Sequence, residues 1–556
     1  MLFRALSKHS TSETVIIENT KGHWRKIRHK GFLLHAKGNI SRADLGRLLK
    51  SIEKNNGLFT LQVLTNWLNS LSANFGLIGL FSGKKFAAAD WVGSTPIFYT
   101  LQPTQVIISN NAPLLANTIG QPISQNIDQN AWLAFEASGY TIGSSTLHKN
   151  IKRLKPGQVL MSGTDGVLLG RYHRYEPWNY TEKCEKKLIN SLSDITLEVF
   201  RNHVERANGR QIAIPISAGF DSRLVASVLK YIGVKNVICF SYGQAGNNDA
   251  VTGKAVADRL GYPWHFVLTN SKIQEQLFAS NEHVEYMQYA DNYSSVPFRQ
   301  DIVPIRELLK KGILQQDAIL INGNSGDFTS GGHIPNIFFE DQISGEFNDN
   351  TIVNEVIKKH FSLWTQHSKF DLNEHIRSQL FAELKEEGLA DSKPEDRYAI
   401  FEFLEFTNRQ SKFVINGQRI YEFYNLDWEL PLWDRELLDF WERVPLSLKK
   451  NQLLYKTMLL KNNWANVWED IPLNKKNIRP VWIALLRNLL KIVFAPSGRK
   501  QWHNFERRYL NYHTDLVGNY AIYPYRHIAT SEKIGRNAVS WHTAHYLDSI
   551  SETSVR

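Results

Sequence analysis

Cysteine is scarce in this chain of 556 residues, which contains only Cys184 and Cys239. Two thiols exclude a disulfide framework and any metal site built from four cysteines. Long apolar runs are also missing: no stretch reaches the roughly 18 apolar residues of a membrane span, and the N-terminus has no signal-peptide core. We therefore expect a soluble, cytoplasmic protein, whose length favours two or three domains.

Acidic residues are outnumbered, since 65 Lys and Arg oppose 54 Asp and Glu and leave a net charge of +11. Much of the excess lies in the run 23–30 (HWRKIRHK). Such a run is compatible with a nucleic acid, a lipid surface or an acidic small molecule, although a solvated surface is the commoner explanation. No zinc-finger spacing or RNA-binding signature accompanies it, so we do not expect nucleic-acid binding. The sequence leaves open a homo-oligomer and association with the inner surface of a membrane.

Four short apolar runs between residues 77 and 110 are separated by glycine- and proline-containing turns. Runs of this length and spacing predict strands, at 77–81, 86–89, 96–99 and 106–108. Strands in such close succession favour an antiparallel meander, with one face covered by a second layer.

A different pattern begins at residue 211, where the apolar run 211–216 leads into the loop 217–222 (SAGFDS) and then a helical pattern over 223–232. A strand, a small-residue loop and a helix together form an anion site, because backbone N–H groups and the helix dipole meet at the loop. Gly219 permits close backbone approach, Ser217 and Ser222 offer hydroxyl groups, and Asp221 can hold a magnesium ion. A simple helix-capping turn is the alternative interpretation.

The same pattern continues downstream. A strand at 235–242 is followed by a helix that we expect Asp249 to cap and Gly261 to end, and then by a strand at 264–268. A further run at 318–321 leads into the loop 322–327. Alternating strands and helices predict a doubly wound parallel sheet that binds ligands at the carboxyl ends of its strands.

These motifs resemble those of a known family. The loop 217–222 is similar to the pyrophosphate loop of N-type ATP pyrophosphatases, and the layout from Gly76 to Pro480 resembles the glutamine-dependent asparagine synthetase family. The matching segments occur in family order: 90–99, 154–157, 217–222, Asp249, 323–332, 431–434 and 455–461. The resemblance implies an α/β protein with an N-terminal-nucleophile amidohydrolase-like sandwich at 1–180, a HUP-like ATP pyrophosphatase domain at 181–475 and a helical extension at 476–556.

The resemblance also implies a carbon–nitrogen ligase that converts ATP to AMP and pyrophosphate. It assigns ATP and pyrophosphate binding to one set of residues: Ser217, Gly219, Asp221, Ser222, Ser241, Asp249 and Gly323. Asp221 and Asp327 would bind Mg²⁺, and with Lys456 they would be the catalytic groups. Lys456 has an alternative interpretation as one more solvated charge beside Lys449, Lys450 and Lys461.

The chain departs from the family in several places. Residues 1–183 contain no cysteine, so the thiol of a glutaminase is missing, and ammonia or an amine must come from elsewhere. Ala218 replaces a glycine, Asn324 stands where a glutamate is common, and Glu429 lies near the place of an arginine. These changes leave adenylate formation intact and put aspartate as the acceptor in doubt.

The resulting hypothesis is an amide synthetase that adenylates a carboxylate, with a uronic acid sugar of a surface polysaccharide preferred as the acidic substrate. The alternatives are a ring-closing amide synthetase and a nucleotide-binding protein that has lost its activity. The apolar segment 481–494 is too short to span a bilayer, and we favour a core-docking helix over an interfacial one. No metal is assigned to the histidines beyond it.

Overall fold

The computed structural model describes residues 4–7, 22–103, 105–163, 166–180, 184–340, 349–365, 370–390, 394–472 and 478–552. The strands of these residues form three sheets. In chain order they are β1 (Arg4–Ser7), β2 (Arg25–His29), β3 (Phe32–Gly38), β4 (Phe75–Phe81), β5 (Lys84–Ala89), β6 (Phe98–Gln102), β7 (Gln105–Ser109), β8 (Lys152–Arg153), β9 (Gln158–Gly163), β10 (Gly166–Arg171), β11 (Ile212–Pro215), β12 (Val237–Gly243), β13 (Trp264–Leu268), β14 (Ile319–Ile321) and β15 (Asp427–Glu429).

The helices connect and cover these sheets. The first eleven are α1 (Arg42–Lys54), α2 (Leu61–Leu68), α3 (Ala112–Thr118), α4 (Gln129–Ser138), α5 (Glu185–Ala207), α6 (Phe220–Tyr231), α7 (Asn248–Leu260), α8 (Ser271–Phe278), α9 (Asn281–Ala290), α10 (Ile302–Lys310) and α11 (Gly326–Thr329). The others are α12 (Asp349–His360), α13 (Phe370–Glu386), α14 (Arg397–Glu405), α15 (Gln418–Phe423), α16 (Arg435–Glu442), α17 (Leu446–Lys449), α18 (Leu453–Asn462), α19 (Val481–Phe494), α20 (Arg499–Phe505), α21 (Asn511–Thr514), α22 (Tyr525–Thr530) and α23 (Ala538–Glu552).

The N-terminal part is a four-layer sandwich. Helices α1 and α2 cover a seven-stranded sheet of order β1-β10-β9-β5-β4-β3-β2. Its other face packs against the three-stranded sheet β7-β6-β8, and α3, α4 and the C-terminal α23 cover the far side. Each sheet is buried on both faces, which explains the continuous apolar runs of its strands. The predicted α/β sandwich is confirmed.

The predicted single meander is wrong, because β4 and β5 belong to the larger sheet and β6 and β7 to the smaller one. The buried carboxylate of Asp90 explains the crossing. It accepts hydrogen bonds from the backbone N–H groups of Val92 (3.1 Å) and Ser94 (2.9 Å), and also from Phe75 (2.9 Å). This network forms the turn that carries the chain from one sheet to the other.

The basic run 23–30 contains the edge strand β2, which pairs with β3 only on one side. Charged side chains on an edge strand oppose pairing with the edge of another sheet. The position of Arg25, Lys26 and Arg28 therefore has a structural explanation that needs no ligand.

The second part contains a parallel sheet of order β13-β12-β11-β14-β15. Helices α5, α6 and α7 pack on one face, and α9, α10 and α15 pack on the other. The predicted doubly wound sheet is confirmed. Strand β15 was not predicted, since its three residues, Asp427–Glu429, lack an apolar run.

Two helix starts differ from prediction. Helix α6 begins at Phe220, inside the loop that was predicted to precede it. Helix α7 is capped by Asn247, whose side chain accepts a hydrogen bond from the Ala250 N–H (2.9 Å), and not by Asp249. Gly261 ends α7 in the left-handed conformation, as predicted.

The C-terminal helices form a layer that returns to the N-terminal sandwich, where Tyr546 of α23 stacks on Phe135 of α4 at 5.4 Å. We predicted that helix α19 docks into a core, but it does not, because Ile483 is its one buried side chain. Within the part of the chain that the structure describes, no helix combines the length and apolarity needed to cross a membrane.

One cluster of buried side chains joins the two parts. Phe75, Trp91 and Val92 of the sandwich pack in the same core as Phe328 and Trp433 of the second part. The indole N–H of Trp91 also donates to the backbone oxygen of Trp433 (2.9 Å).

Candidate active site

A cavity of about 690 Å³ opens at the carboxyl ends of β11 and β14, the edge where the sequence predicts a ligand. It brings together most of the predicted site residues, namely Ser217, Gly219, Asp221, Ser222, Asp249, Gly323 and Asp327. Ser241 and Lys456 do not line it among the described residues.

The loop 217–222 is held by its own side chains. The N–H of Ser217 donates to Ser222 Oγ (3.0 Å), the N–H of Gly219 donates to Ser217 Oγ (3.3 Å), and the N–H of Ala218 donates to Asp249 Oδ1 (3.0 Å). The N–H groups predicted for the ligand at these positions are therefore already paired. The first N–H groups of α6 cannot have a partner within the helix, so a ligand would meet the helix start at Phe220 and beyond.

Two glycines let the second loop approach the first. A Cβ atom on Gly323 would lie 2.7 Å from the backbone nitrogen of Ser222, and one on Gly326 would lie 2.7 Å from Asp221 Oδ1. Both distances are too short for any side chain. The pairing of the two loops thus depends on glycine at these positions.

This approach places two carboxylates together. Asp221 Oδ2 accepts a hydrogen bond from the Asp327 N–H (2.9 Å), and Asp221 Oδ1 accepts one from the Tyr455 hydroxyl (3.0 Å). Burial and the charge of Asp327 raise the pKa of Asp221 to about 7. The negative charge on Asp221 is therefore not balanced by positive charge in the site, and its carboxyl group holds a proton up to about pH 7.

Asp327 contacts a histidine that the sequence analysis missed. His333 Nε2 lies 3.1 Å from Asp327 Oδ2, and its Nδ1 hydrogen-bonds Glu405. Burial opposes ionisation of Asp327, but the hydrogen bond from His333 and the charge of His333 lower the pKa of Asp327. Burial likewise opposes protonation of His333, yet its bonds to Asp327 and Glu405 raise its pKa to about 9.

Glu405 is fully buried among basic side chains. His360 Nε2 lies 2.8 Å and Lys359 Nζ 3.1 Å from Glu405 Oε2, and Arg409 Nη1 lies 3.7 Å from Oε1. Burial favours the neutral acid, but the neighbouring His360 and His333 hold the pKa of Glu405 well below its usual range. No motif links residue 405 to residue 327 in the sequence, and only the fold brings them together.

Lys456 lies next to a residue of the cavity wall. Its Nζ is 5.5 Å from the centre of the Phe220 ring, and Phe220 lines the cavity. The neighbouring Lys449 is fully buried and pairs with Glu402 (2.7 Å), so this group of lysines is not a uniformly solvated surface.

Ser241 is buried inside the sheet. Its hydroxyl donates to the Ile216 carbonyl (2.7 Å) and accepts a hydrogen bond from the Trp264 indole (3.1 Å). In this arrangement Ser241 supports the strand below the loop and does not face the cavity.

Asn324 and Glu429, two of the residues at which the chain departs from the family, lie in different places. Asn324 lines the cavity. Glu429 lies on β15, away from the cavity lining, and pairs with Arg206 (3.1 Å) and His203 (2.6 Å).

The cavity lining also includes Arg409 and the group Tyr242, Asp301 and Tyr421. Asp301 accepts hydrogen bonds from Tyr242 (2.5 Å) and Tyr421 (2.7 Å). These residues were not predicted, because they occupy no recognisable motif.

Comparison with known proteins gives a family for this region. Residues 198–462 match the family model for asparagine synthase. The chain is 23% identical over 219 residues to a probable glutamine-hydrolysing asparagine synthetase of Acanthamoeba polyphaga mimivirus, which covers 38% of this chain and 37% of that protein. The chain thus spans little more than a third of the length of this relative.

Solved structures align weakly. An NH3-dependent NAD synthetase from Campylobacter jejuni is 14% identical and covers 42% of this chain and 97% of its own, with a TM-score of 0.20. A glutamine phosphoribosylpyrophosphate amidotransferase from B. subtilis is 10% identical and covers 55% of this chain and 64% of its own, with a TM-score of 0.17. The family model and the curated relative, rather than these alignments, identify the region: residues 198–462 match the asparagine synthase family.

Proposed function

We propose that this protein is an ATP-dependent carbon–nitrogen ligase that adenylates a carboxylate, releases pyrophosphate and then forms an amide. The single observation that carries the proposal is the pairing of Asp221 with the 323–327 loop at the N-terminus of α6, inside one cavity. A helix start favours phosphate, and a carboxylate pair beside it favours a phosphate-bound cation.

The first step joins a carboxylate oxygen of the acceptor to the α-phosphorus of ATP, and the bond from that phosphorus to the pyrophosphate oxygen breaks. Negative charge grows on the departing pyrophosphate. Groups that meet this charge lower the barrier most. In this chain they would be the first N–H groups of α6 and Lys456, whose ammonium group lies beside the Phe220 ring.

The second step is attack of an amine on the acyl carbon, which releases AMP and a proton. Because residues 1–183 contain no cysteine, we propose that the amine is free ammonia or an amine of the substrate, not ammonia made by this chain from glutamine.

Asp221 and Asp327 fit a magnesium ion. Carboxylate oxygens are the ligands that Mg²⁺ prefers, and the raised pKa of Asp221 indicates that added positive charge would favour its ionised form. When bound, Mg²⁺ would neutralise phosphate oxygens during pyrophosphate release.

For the acceptor we propose an acidic sugar, a uronic acid of a surface polysaccharide. The guanidinium of Arg409 supplies a positive group in the same cavity, which suits a carboxylate or the α-phosphate. The hydroxyl and carboxylate groups of Tyr242, Asp301 and Tyr421 offer hydrogen-bond partners for a polyhydroxylated ring.

The test is pyrophosphate release and ATP–pyrophosphate exchange with Mg²⁺, ammonia and a panel of uronic acids. Asp221→Asn should lower the exchange rate about 10²–10³-fold, because it removes a charge from the phosphate site. Asp258→Asn is the matched control, since Asp258 is an exposed carboxylate of α7 that pairs with Lys254 and should leave the rate unchanged.

The outcomes separate the alternatives. ATP binding by calorimetry without exchange on any acid would contradict the ligase and favour a nucleotide-binding protein. Exchange only with acids that carry their own amine would favour ring closure over the uronic acid.

A further inference from the structure

Helix α19 exposes an apolar face that the synthetase site does not use. Its most exposed large side chains are Leu485 (62%), Leu489 (64%), Ile492 (73%) and Val493 (70%), with Trp482 at 57%. Val481 and Leu486 are also exposed. Scattered apolar side chains are normal on a protein surface, but seven on one helix of 14 residues form a patch.

The seven side chains lie on one side of the helix. At about 100° per residue they occupy a continuous arc of about 140°. The opposite side packs through Ile483, Leu490 and Phe494 against Trp502 and Leu510. The helix is thus held in place from behind while its wider apolar face points outward.

The surroundings of this face are basic. Between residues 478 and 510 the chain carries Arg479, Arg487, Lys491, Arg499, Lys500, Arg507 and Arg508, and Glu506 is the one acidic residue. Glu506 pairs with Arg487 (2.5 Å). Lys491 of α19 is exposed, as are Arg499 and Lys500, the first two residues of α20.

We propose that α19 docks this protein on the surface of an anionic lipid bilayer, with its apolar face at the boundary of the headgroups and acyl chains. An apolar arc with Trp, Leu and Ile, combined with Lys and Arg outside that arc, is the pattern of an interfacial helix. Anionic lipids attract such basic residues near the surface. At 14 residues the helix lies along the membrane and does not cross it.

A second copy of the chain is a poorer occupant. Two copies paired through the same face would bring their identical basic residues together, because a two-fold contact uses the same surface on both partners. A lipid surface instead supplies the opposite charge.

The test is flotation of the whole protein with vesicles of phosphatidylcholine and phosphatidylglycerol, compared with phosphatidylcholine alone. We expect binding to the anionic vesicles that falls as salt rises. Leu485→Gln/Leu489→Gln should lower the bound fraction about tenfold. Leu460→Gln/Val251→Gln is the matched control, because both side chains are exposed on other helices.

Charge and apolar contact can be separated. Lys491→Gln/Arg499→Gln/Lys500→Gln should weaken binding to anionic vesicles about tenfold or more and leave the little binding to neutral ones unchanged. All variants should keep the thermal midpoint and the ATP–pyrophosphate exchange of the parent, because the changed side chains lie outside the cavity.

Three results would overturn the proposal. They are equal flotation with both kinds of vesicle, full vesicle binding by Leu485→Gln/Leu489→Gln, and absence of vesicle binding together with a concentration-dependent dimer that this variant abolishes.

Discussion

Some residues of the site could be predicted from the sequence pattern around them, and others could not. Asp221 and Asp327 could be predicted, because each lies in a small-residue loop directly after an apolar strand. His333 and Glu405 could not, since their contact spans 72 residues and neither lies in a motif with a known spacing. Asp249 lines the cavity, and its carboxylate also accepts a hydrogen bond from the Ala218 N–H of the loop 217–222; its role in ATP binding stays a prediction.

Glu429 leads to a prediction about acid stability. Burial opposes its ionisation, but His203 and Arg206 lower its pKa to about 2. An unfolded Glu has a pKa of about 4.3, so the folded state gains stability above that pH and loses it as the pH falls toward 2. We expect Glu429→Gln to cost about 2–3 kcal/mol near neutral pH and to flatten the acid limb of the stability curve.

Urea unfolding at a series of pH values measures this effect. Glu205→Gln is the control, because Glu205 is exposed on the same helix as Arg206. An equal acid dependence in Glu429→Gln and the parent would contradict the assignment.

Among the secondary-structure elements, the bounds of strands and helices with a clear apolar pattern were predicted well. The sheets or layers against which these elements pack were not. The run 235–242 became β12 within two residues at its start, and 264–268 became β13 as predicted. The sheet to which β6 belongs was missed, because it depends on the hydrogen bonds of buried Asp90 and not on the apolarity of the strand. The exposure of α19 was missed because an apolar helix has the same composition whether it meets a core or a membrane.

Helix α6 leads to a prediction about how the site is supported. Its Arg223 is fully buried and donates to the carbonyls of Val467 (3.2 Å), Ile471 (2.9 Å) and Pro472 (3.1 Å). Arg223→Met would leave these carbonyls unpaired, and we expect a loss of about 2–4 kcal/mol in the free energy of unfolding. Lys230→Met, at an exposed position of the same helix, should cost less than about 1 kcal/mol. Comparable losses in the two variants would contradict this role of Arg223.

We expect the whole molecule to fold as one unit, although the sequence predicts boundaries at 180/181 and 475/476. Those boundaries remain predictions, whereas the core that contains Trp91 and Trp433 crosses the first of them. Long-range packing of this kind has no sequence period, which is why the contact between the two parts could not be predicted.

We therefore expect a fragment of residues 181–556 to aggregate or to lack a cooperative unfolding transition. Removing residues 1–180 would expose Phe328, Phe406, Trp433 and Leu438, which share the core with the sandwich. Calorimetry and dye binding on the fragment and on the intact chain provide the measurement. A sharp unfolding transition in the isolated fragment would show that the two parts fold independently.

The shared core has a consequence for the history of this chain. Phe328 follows Asp327 directly, and its ring packs in a layer that includes Tyr175 of the N-terminal region. A lineage that deleted this layer would remove the packing behind the loop that carries Asp327. The N-terminal region would then be retained as a support for the neighbouring candidate site, whatever chemistry it has of its own.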